Sequence, residues 1–376
     1  MRCVPRAMRA GGRLVRTLAA AALFAGVALS CAHSATLTRP EPPPTPEPLP
    51  TPDPGIVNSA FSAGQAASDL GSNFLERLGG QATGSTNRMA RTNPNGGGAS
   101  EAAAAERFRV WGEAYGITAR TEAQGDFAGD RRTTWGGVAG FGATFAPGVS
   151  VGFSIDHSRS KIDVPLAFQS ATLDLTQFGA NFSIDKGPWT VAGAVVHGVG
   201  QINSSRDTGA GFALASYNAV VDGVLAELDY YWMQDQSRIV PKVAFEYVRS
   251  ATDPFNETGM SLFLVSASGA TAERTRLLAG AEIGHYWIFD RKIFDLSAYG
   301  KFIDNLQQNF SAVTVSIPGF QSISVQGLGE SRYGADAGAA ASLSLANNFR
   351  LYAHYDGKFR ALHQSHQGTV GLEVKW

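Results

Sequence analysis

From residue 107 to the last residue, apolar and polar side chains alternate with a period of two, the spacing that sends successive side chains to opposite faces of an extended strand. Val149, Val151, Phe153 and Ile155 alternate with Ser150, Gly152, Ser154 and Asp156. Ile239, Pro241, Val243, Phe245 and Tyr247 alternate with a face that carries Lys242 and Glu246, and Phe294, Leu296, Ala298 and Phe302 with Asp295, Ser297, Tyr299 and Lys301. Tyr333, Ala335, Ala337, Ala339, Ala341 and Leu343 face away from Gly334, Asp336, Gly338, Ser342 and Ser344. Phe349, Leu351, Ala353 and Tyr355 alternate with Arg350, Tyr352, His354 and Asp356. In the final strand Val370, Leu372, Val374 and the terminal Trp376 share one face, while Thr369, Gly371, Glu373 and Lys375 share the other. Leu173 and Leu175 break the pattern: they are out of phase with Phe178, Ala180, Phe182 and Ile184, which predicts a bulge or a strand start near Thr176.

The connections give these strands an architecture. Short turns are expected at 146–148, 185–187, 234–237, 290–291 and 346–347. Longer stretches are expected at 119–131, 159–169, 201–211, 251–274 and 304–330, with a smaller one at 358–367. Short and long connections alternate across about twelve strands, as in an up-and-down meander with one cramped rim and one free rim. A soluble sandwich would solvate the polar faces equally well but gives no reason for that rhythm. In hydrocarbon every backbone amide needs a partner, so the sheet must close, with apolar side chains outward and Lys242, Glu246, Asp295, Lys301, Asp336 and Arg350 in a wet lumen. The expected fold is all-β: a 12-stranded antiparallel up-and-down transmembrane β-barrel, with both ends of the barrel on the short-turn rim. Trp111, Trp135, Trp189, Trp232, Trp287 and Trp376, with Tyr230, Tyr231 and Tyr286, are expected in two interfacial girdles.

Ahead of the strands the period changes. Val57, Phe61, Ala67, Leu70, Phe74, Leu75 and Leu78 recur at three- and four-residue intervals, with Asp69 and Glu76 off the stripe and Gly79-Gly80 expected to end it. This is one amphipathic helix, and Gly64, Ala66, Ala67 and Gly71 make it slim enough for a narrow space. A helix packed on any core would have the same stripe. Residues 93–100 are a glycine-rich linker, and 37–54 are a proline tract that acts as a stiff, solvated spacer. The arginine-rich start followed by the apolar run 17–29 has the layout of a secretory signal peptide, with cleavage between Ser34 and Ala35 or, alternatively, after Ala32. Lipidation at Cys31 is a competing reading. The expected organisation is 1–34 signal peptide, 35–55 spacer, 56–106 helix and linker, and 107–376 barrel.

Composition narrows the chemistry. The chain is 44% hydrophobic and 17% charged, with a mean hydropathy of -0.07. No stretch after residue 35 reaches the roughly 20 apolar residues of a membrane helix, so any crossing is by strands. Cys3 and Cys31 both lie in the presumed presequence, leaving no disulfide or cysteine-based metal site in the mature chain. The formal charge of -1 includes five presequence arginines, so the mature chain is more acidic and does not suit a nucleic-acid surface. His363 and His366 approach metal-ligand spacing, with Ser365 between them, in what is expected to be an external loop. They lack a local acid or cysteine partner and read as solvated surface. No phosphate loop, nucleotide fingerprint or zinc motif is present, so no catalytic residue, cofactor or metal is assigned.

Val110-Trp111-Gly112-Glu113-Ala114-Tyr115-Gly116 opens the first strand, and Gly136-Gly137-Val138-Ala139-Gly140-Phe141-Gly142 lies in the second. With the preceding helix and the ending Gly371-Leu372-Glu373-Val374-Lys375-Trp376, they give residues 57–376 a chain that resembles the translocator domain of monomeric autotransporters. The resemblance implies a twelve-stranded barrel with the N-terminal α-helix in its lumen, formed by Val57, Phe61, Leu70, Phe74 and Leu78, and with Gly140, Gly142, Gly334 and Gly338 leaving room for it. It implies outer-membrane lipids, the outer-membrane insertase and periplasmic chaperones as partners of a monomeric barrel. It also implies that Val370, Leu372, Val374 and Trp376 form an assembly signal. The chain departs from the family in its passenger, since only about twenty proline-rich residues precede the helix. The expected function is non-enzymatic: translocation or display of the short N-terminal segment at the cell surface. A small porin with its helix outside the lumen is the alternative, and a barrel acylhydrolase is a remote third. Deleting Trp376 is expected to abolish accumulation of heat-modifiable barrel in the outer membrane; wild-type levels would refute the assembly signal.

Overall fold

The computed structural model describes residues 47–84 and 107–376 apart from Leu262, Arg291, Leu328 and Asn347. The presumed presequence with Cys31, Ser34 and Ala35, most of the proline tract and the glycine-rich linker lie outside the described residues. The segment 1–48 is a unit of its own, of which Glu47 and Pro48 are described and exposed.

In the unit 49–376, twelve long strands follow one another. They are β1 (Phe108–Thr121), β2 (Asp130–Ala146), β3 (Val149–Val164), β4 (Gln169–Lys186), β5 (Trp189–Asp207) and β6 (Phe212–Tyr230). Then come β7 (Ser237–Thr252), β8 (Ala270–Phe289), β9 (Lys292–Phe310), β10 (Tyr333–Ala346), β11 (Phe349–Arg360) and β12 (His363–Lys375). Each pairs antiparallel with its sequence neighbours, and β1 pairs with β12 from Arg109↔Lys375 to Thr121↔His363, which closes the barrel. At the closing seam Phe108 and Trp376 exchange both backbone hydrogen bonds at 3.0 Å, so no edge is left open at that end.

The outward face carries the apolar alternation. Phe141, Phe153, Phe178, Phe182, Val195, Phe245, Leu296, Val370 and Leu372 are all exposed large hydrophobics, an arrangement stable in lipid and not in water. The inward face carries the charges, but several are drier than a wet lumen implies. Glu246 and Asp336 are almost fully buried because each meets an arginine, Arg276 and Arg360 respectively.

Four sequence expectations are corrected here. First, the connections at 165–168, 208–211 and 361–362 are short, because β3, β4, β5, β11 and β12 run on past the apolar belt. Strong strand pairing continues there with polar residues on the outer face, such as Arg159, Lys161 and Asp163 on β3, so polarity alone did not mark the strand ends. Only 122–129, 253–269 and 311–332 are long on that rim. Second, β4 has an unbroken register with both neighbours, and there is no bulge near Thr176. Leu173 and Leu175 point inward onto the helix, where an apolar lumenal face is needed. Third, Trp111 belongs to no girdle: it is 2% exposed and inside the barrel, on the same parity as Glu113 and Tyr115. Fourth, Gly140, Gly142, Gly334 and Gly338 do not make room for the helix; they seat Trp111, Arg109, Arg360 and Tyr299 from neighbouring strands.

The described helix, α1, spans Asn58–Thr83 after a 3-10 turn at Pro54–Val57. It passes through Gly79-Gly80, which was expected to end it. A glycine costs a helix interior about 1 kcal/mol relative to alanine, and here Gly79 lies against Leu225 where a Cβ would sit only 3.0 Å from Cδ2. A four-stranded sheet of Phe255–Asn256, Ser266–Ala267, Ala312–Ser316 and Ile323–Gln326 covers the long-loop end. Its core of Val265, Ala267, Val313, Val315 and Ile317 packs on Val57.

A Cβ at Gly140 would lie 2.3 Å from the Trp111 ring, whereas one at Gly300 meets nothing within 4 Å. Gly140→Ala is therefore expected to destabilise the folded barrel by about 1–3 kcal/mol, with Gly300→Ala close to neutral. Urea midpoints of the heat-modifiable band check both.

Candidate functional site: the plugged lumen

The helix divides the lumen into a packed half and a polar half. Its apolar face (Ala63, Ala66, Ala67, Leu70, Phe74, Leu75, Leu78) packs on the inner wall of β3 to β7, against Leu173, Leu175, Val196, Val221, Leu225 and Val248. The fit is close: a Cβ at Gly71 would meet Val221 at 2.4 Å, and one at Gly223 would meet Leu75 at 2.6 Å. Of the residues expected on this helix, Val57, Leu70, Phe74 and Leu78 are buried, and Phe61 is half-buried against the covering loop sheet.

Both helix ends are capped by the barrel wall. The chain offers no side-chain N-cap at Val57, so the orphan amide of Ser59 donates to Gln169 Oε1 at 2.8 Å, while Gln169 Nε2 donates to the Gly55 carbonyl at 2.8 Å. At the other end the Leu78 carbonyl accepts from Asn181 Nδ2 at 2.8 Å, and the Gln81 carbonyl from Arg109 Nη2 at 2.7 Å. These contacts also fix the helix direction. Asn58 Nδ2 donates to the Asp126 carbonyl in the 122–129 loop, and Gln321 N donates to the Pro50 carbonyl from the 311–332 loop. The N-terminal end of the helix is thus at the long-loop rim, and its C-terminal end is toward the rim where β1 starts and β12 ends.

The polar face carries three charges, each in its own cage. Asp69 meets Arg132 at 2.9 Å, Arg274 at 3.2 Å and His363 Nε2 at 3.9 Å. Glu76 accepts from Lys358 at 2.7 Å and Lys301 at 2.9 Å, and lies 3.5 Å from Arg276. Arg77 meets Glu113 at 2.8 Å and Asp156 at 3.4 Å, with its guanidinium over the Tyr115 ring. Above Asp69, Glu330 from the 311–332 loop reaches into the lumen to Arg274 at 2.5 Å and Arg360 at 3.7 Å. Burial raises the Glu330 carboxyl, but Arg274, His363 and Arg360 together more than offset it, and the group is held below the usual carboxylate range. Beside the helix a polar cavity of about 260 Å³ remains between Glu76, Arg77 and Gln81 and the opposite wall, including Arg350, Tyr352 and Asp356.

The helix partners Arg132, Arg274, Arg276, Lys301, Lys358, Gln169 and Asn181 were not singled out as such from the sequence. Their only signal was lumenal parity; nothing local says which charge meets Asp69 or Glu76. The expected external loop at His363 and His366 is instead part of β12, which places the two rings on opposite faces. His363 is buried in the lumen, with Nδ1 3.1 Å from both Thr121 Oγ1 and Arg132 Nη2, while His366 is outside against Tyr355. Arg132 can only donate, so Nδ1 accepts and the ring proton sits on Nε2. Among the described residues no group of three or more metal-ligating side chains is present. Of the residues expected to form an assembly signal, Val370 and Leu372 are exposed on the outer wall, Val374 is half-exposed, and Trp376 is exposed at the tight-turn rim.

A closed, lipid-facing barrel filled by its own N-terminal helix defines a class: outer-membrane barrels with an internal plug. Within that class the family model for the autotransporter beta-domain matches residues 110–356, and the chain belongs to that family. The translocator domain of autotransporter NalP from Neisseria meningitidis is similar in structure, with TM-score 0.64 at 18% identity, over 85% of this chain and 99% of that one. The beta domain of the Bordetella autotransporter BrkA has TM-score 0.54 at 14% identity, over 72% of this chain and 100% of that one. No curated protein matches the sequence. The protein is an outer-membrane autotransporter barrel for surface display.

Deleting residues 55–100 is expected to raise single-channel conductance in planar bilayers markedly. Glu76→Gln should give a smaller rise with flickering, because Lys301 and Lys358 lose their shared anchor. Unchanged conductance on deletion would show that the helix does not seal the pore.

Proposed function

We propose that the barrel carries its own N-terminal segment out through the lumen and then keeps α1 as the plug, leaving the proline tract at the cell surface. The observation that supports this is the helix direction. The chain enters the helix at the long-loop rim and leaves it toward the rim where β1 begins, and residues 49–53 lie on the long-loop side. An outer-membrane barrel keeps its short turns periplasmic and its long loops outside, so that side is the cell exterior.

In this reading residues 1–34 are removed between Ser34 and Ala35, 35–55 form the displayed spacer, 56–106 supply plug and linker, and 107–376 form the monomeric barrel. Val370, Leu372, Val374 and Trp376 present the strand that the insertase reads, after periplasmic chaperones have carried the unfolded chain. The proposed activity is display without catalysis. The porin alternative required a helix outside the lumen, and the helix lies inside.

An epitope inserted before Pro50 is expected to be labelled by antibody on intact cells and removed by external protease, with β1 to β12 protected. An epitope reached only after the outer membrane is permeabilised would overturn the reading.

A further inference from the structure

We infer that the outer wall of β1, β2 and β3 at the long-loop rim binds the phosphates of a phosphorylated outer-leaflet glycolipid. The inference rests on the outward long-loop orientation proposed above. The patch begins at Trp135, which is 70% exposed on the outer face and lies against Gly116. Trp135 is eleven residues from Ala146 at the tight-turn end of β2. At about 3.3 Å per residue along a strand tilted by about 40°, that places it roughly 28 Å up the barrel, about one hydrocarbon thickness. Trp135 therefore marks the upper interface, where an aromatic ring with a polar edge is favoured.

Cations occupy the Trp135 row and the rows beyond it on the same wall. Arg159 is directly opposite Trp135, Lys161 is opposite Thr133, and Arg131 is opposite Arg120 on β1. All four basic side chains are exposed. Directly opposed strand residues have Cβ atoms about 5 Å apart and diagonal ones about 7–8 Å, so Arg120, Arg131 and Lys161 form one compact cationic group. Two of the four have carboxylate partners: Arg120 with Glu122 at 3.0 Å and Arg159 with Asp174 at 3.5 Å. Among the described residues Arg131 and Lys161 have no ion pair, and Asp163, opposite Arg131, makes none. Opposing Arg120 to Arg131 works against sheet pairing, and an anion shared between them offsets it. Arginine provides a planar fork for phosphate oxygens, and lysine adds a point charge.

Position selects the ligand source. A phosphate fixed to a lipid in the outer leaflet is held at the height of this patch, beside the aromatic ring that marks the interface. The opposite wall serves as an internal comparison, because exposed Arg249 on β7 already has Glu273 at 3.6 Å.

The test uses the full chain purified in neutral detergent and bis-phosphorylated lipid A as probe, with affinity read by titration. Arg131→Gln with Lys161→Gln is expected to weaken binding about tenfold, as loss of charge-assisted contacts should, while Arg249→Gln leaves it unchanged. Dephosphorylated lipid A should bind no better to the native chain than bis-phosphorylated lipid A binds to the double variant. Equal affinity of the native chain and the double variant, equal affinity for dephosphorylated lipid, or equally tight binding of inorganic phosphate alone would each overturn the inference. Both substituted residues are exposed, so the heat-modifiable band should persist. Surface labelling of the epitope before Pro50 separates the two readings: labelled cells without phosphate-dependent lipid binding defeat only this inference, whereas loss of labelling defeats the orientation beneath it.

Discussion

In hydrocarbon the edge of a strand has no water to satisfy its amides, so β1 must find β12 across the whole chain before either is stable there. The register from Arg109↔Lys375 to Thr121↔His363 meets that constraint, and the rest of the architecture follows from it. Closure with an even number of antiparallel strands brings Phe108 and Trp376 to one rim. A chain that starts its barrel there, and has a lumen wide enough for a helix, can thread its preceding segment to the other rim. The plug is thus a consequence of where the sheet closes, as well as of the helix's own stripe.

The lumen is neither a wet pore nor a dry core. On the side of β3 to β7 it is packed like a protein interior, with Leu75 and Leu78 buried against Leu173, Leu225 and Val248. On the other side it is a lattice of ion pairs in which Asp69, Glu76 and Arg77 of the helix are each surrounded by opposite charge. Buried pairs of this kind contribute little net stability relative to apolar packing, but removing one partner leaves an uncompensated charge and is strongly destabilising. Their value is positional: they hold one helix rotation and one depth, and Gln169 and Asn181 set the two ends. Glu330 extends the same lattice into a surface loop, coupling the cover over the long-loop rim to the plug beneath it.

Outside the barrel, the apolar belt ends at a definite height on β2, and strand pairing continues beyond it. That is why β3 can carry Arg159 and Lys161 on its outer face without ending. The same continuation made the strands look shorter in sequence than they are, since the outward residues stop being apolar where the lipid stops.

The sequence by itself determined which residues are extended, that one face is lipid-compatible, and that a slim amphipathic helix precedes the sheet, because each is encoded in a period read over a few neighbouring residues. It also carried the parity of Lys242, Glu246, Asp295, Lys301, Asp336 and Arg350. Tertiary structure alone decided three things. It placed Trp111 inside, because an aromatic at a strand end fits either face until a neighbour such as Gly140 makes space for it. It turned Leu173 and Leu175 inward without a bulge, because the helix makes part of the lumen apolar. It matched Asp69 to Arg132 and Arg274, and Glu76 to Lys301 and Lys358, because those partners are separated by 63 to 282 residues and meet only when the barrel closes around the helix.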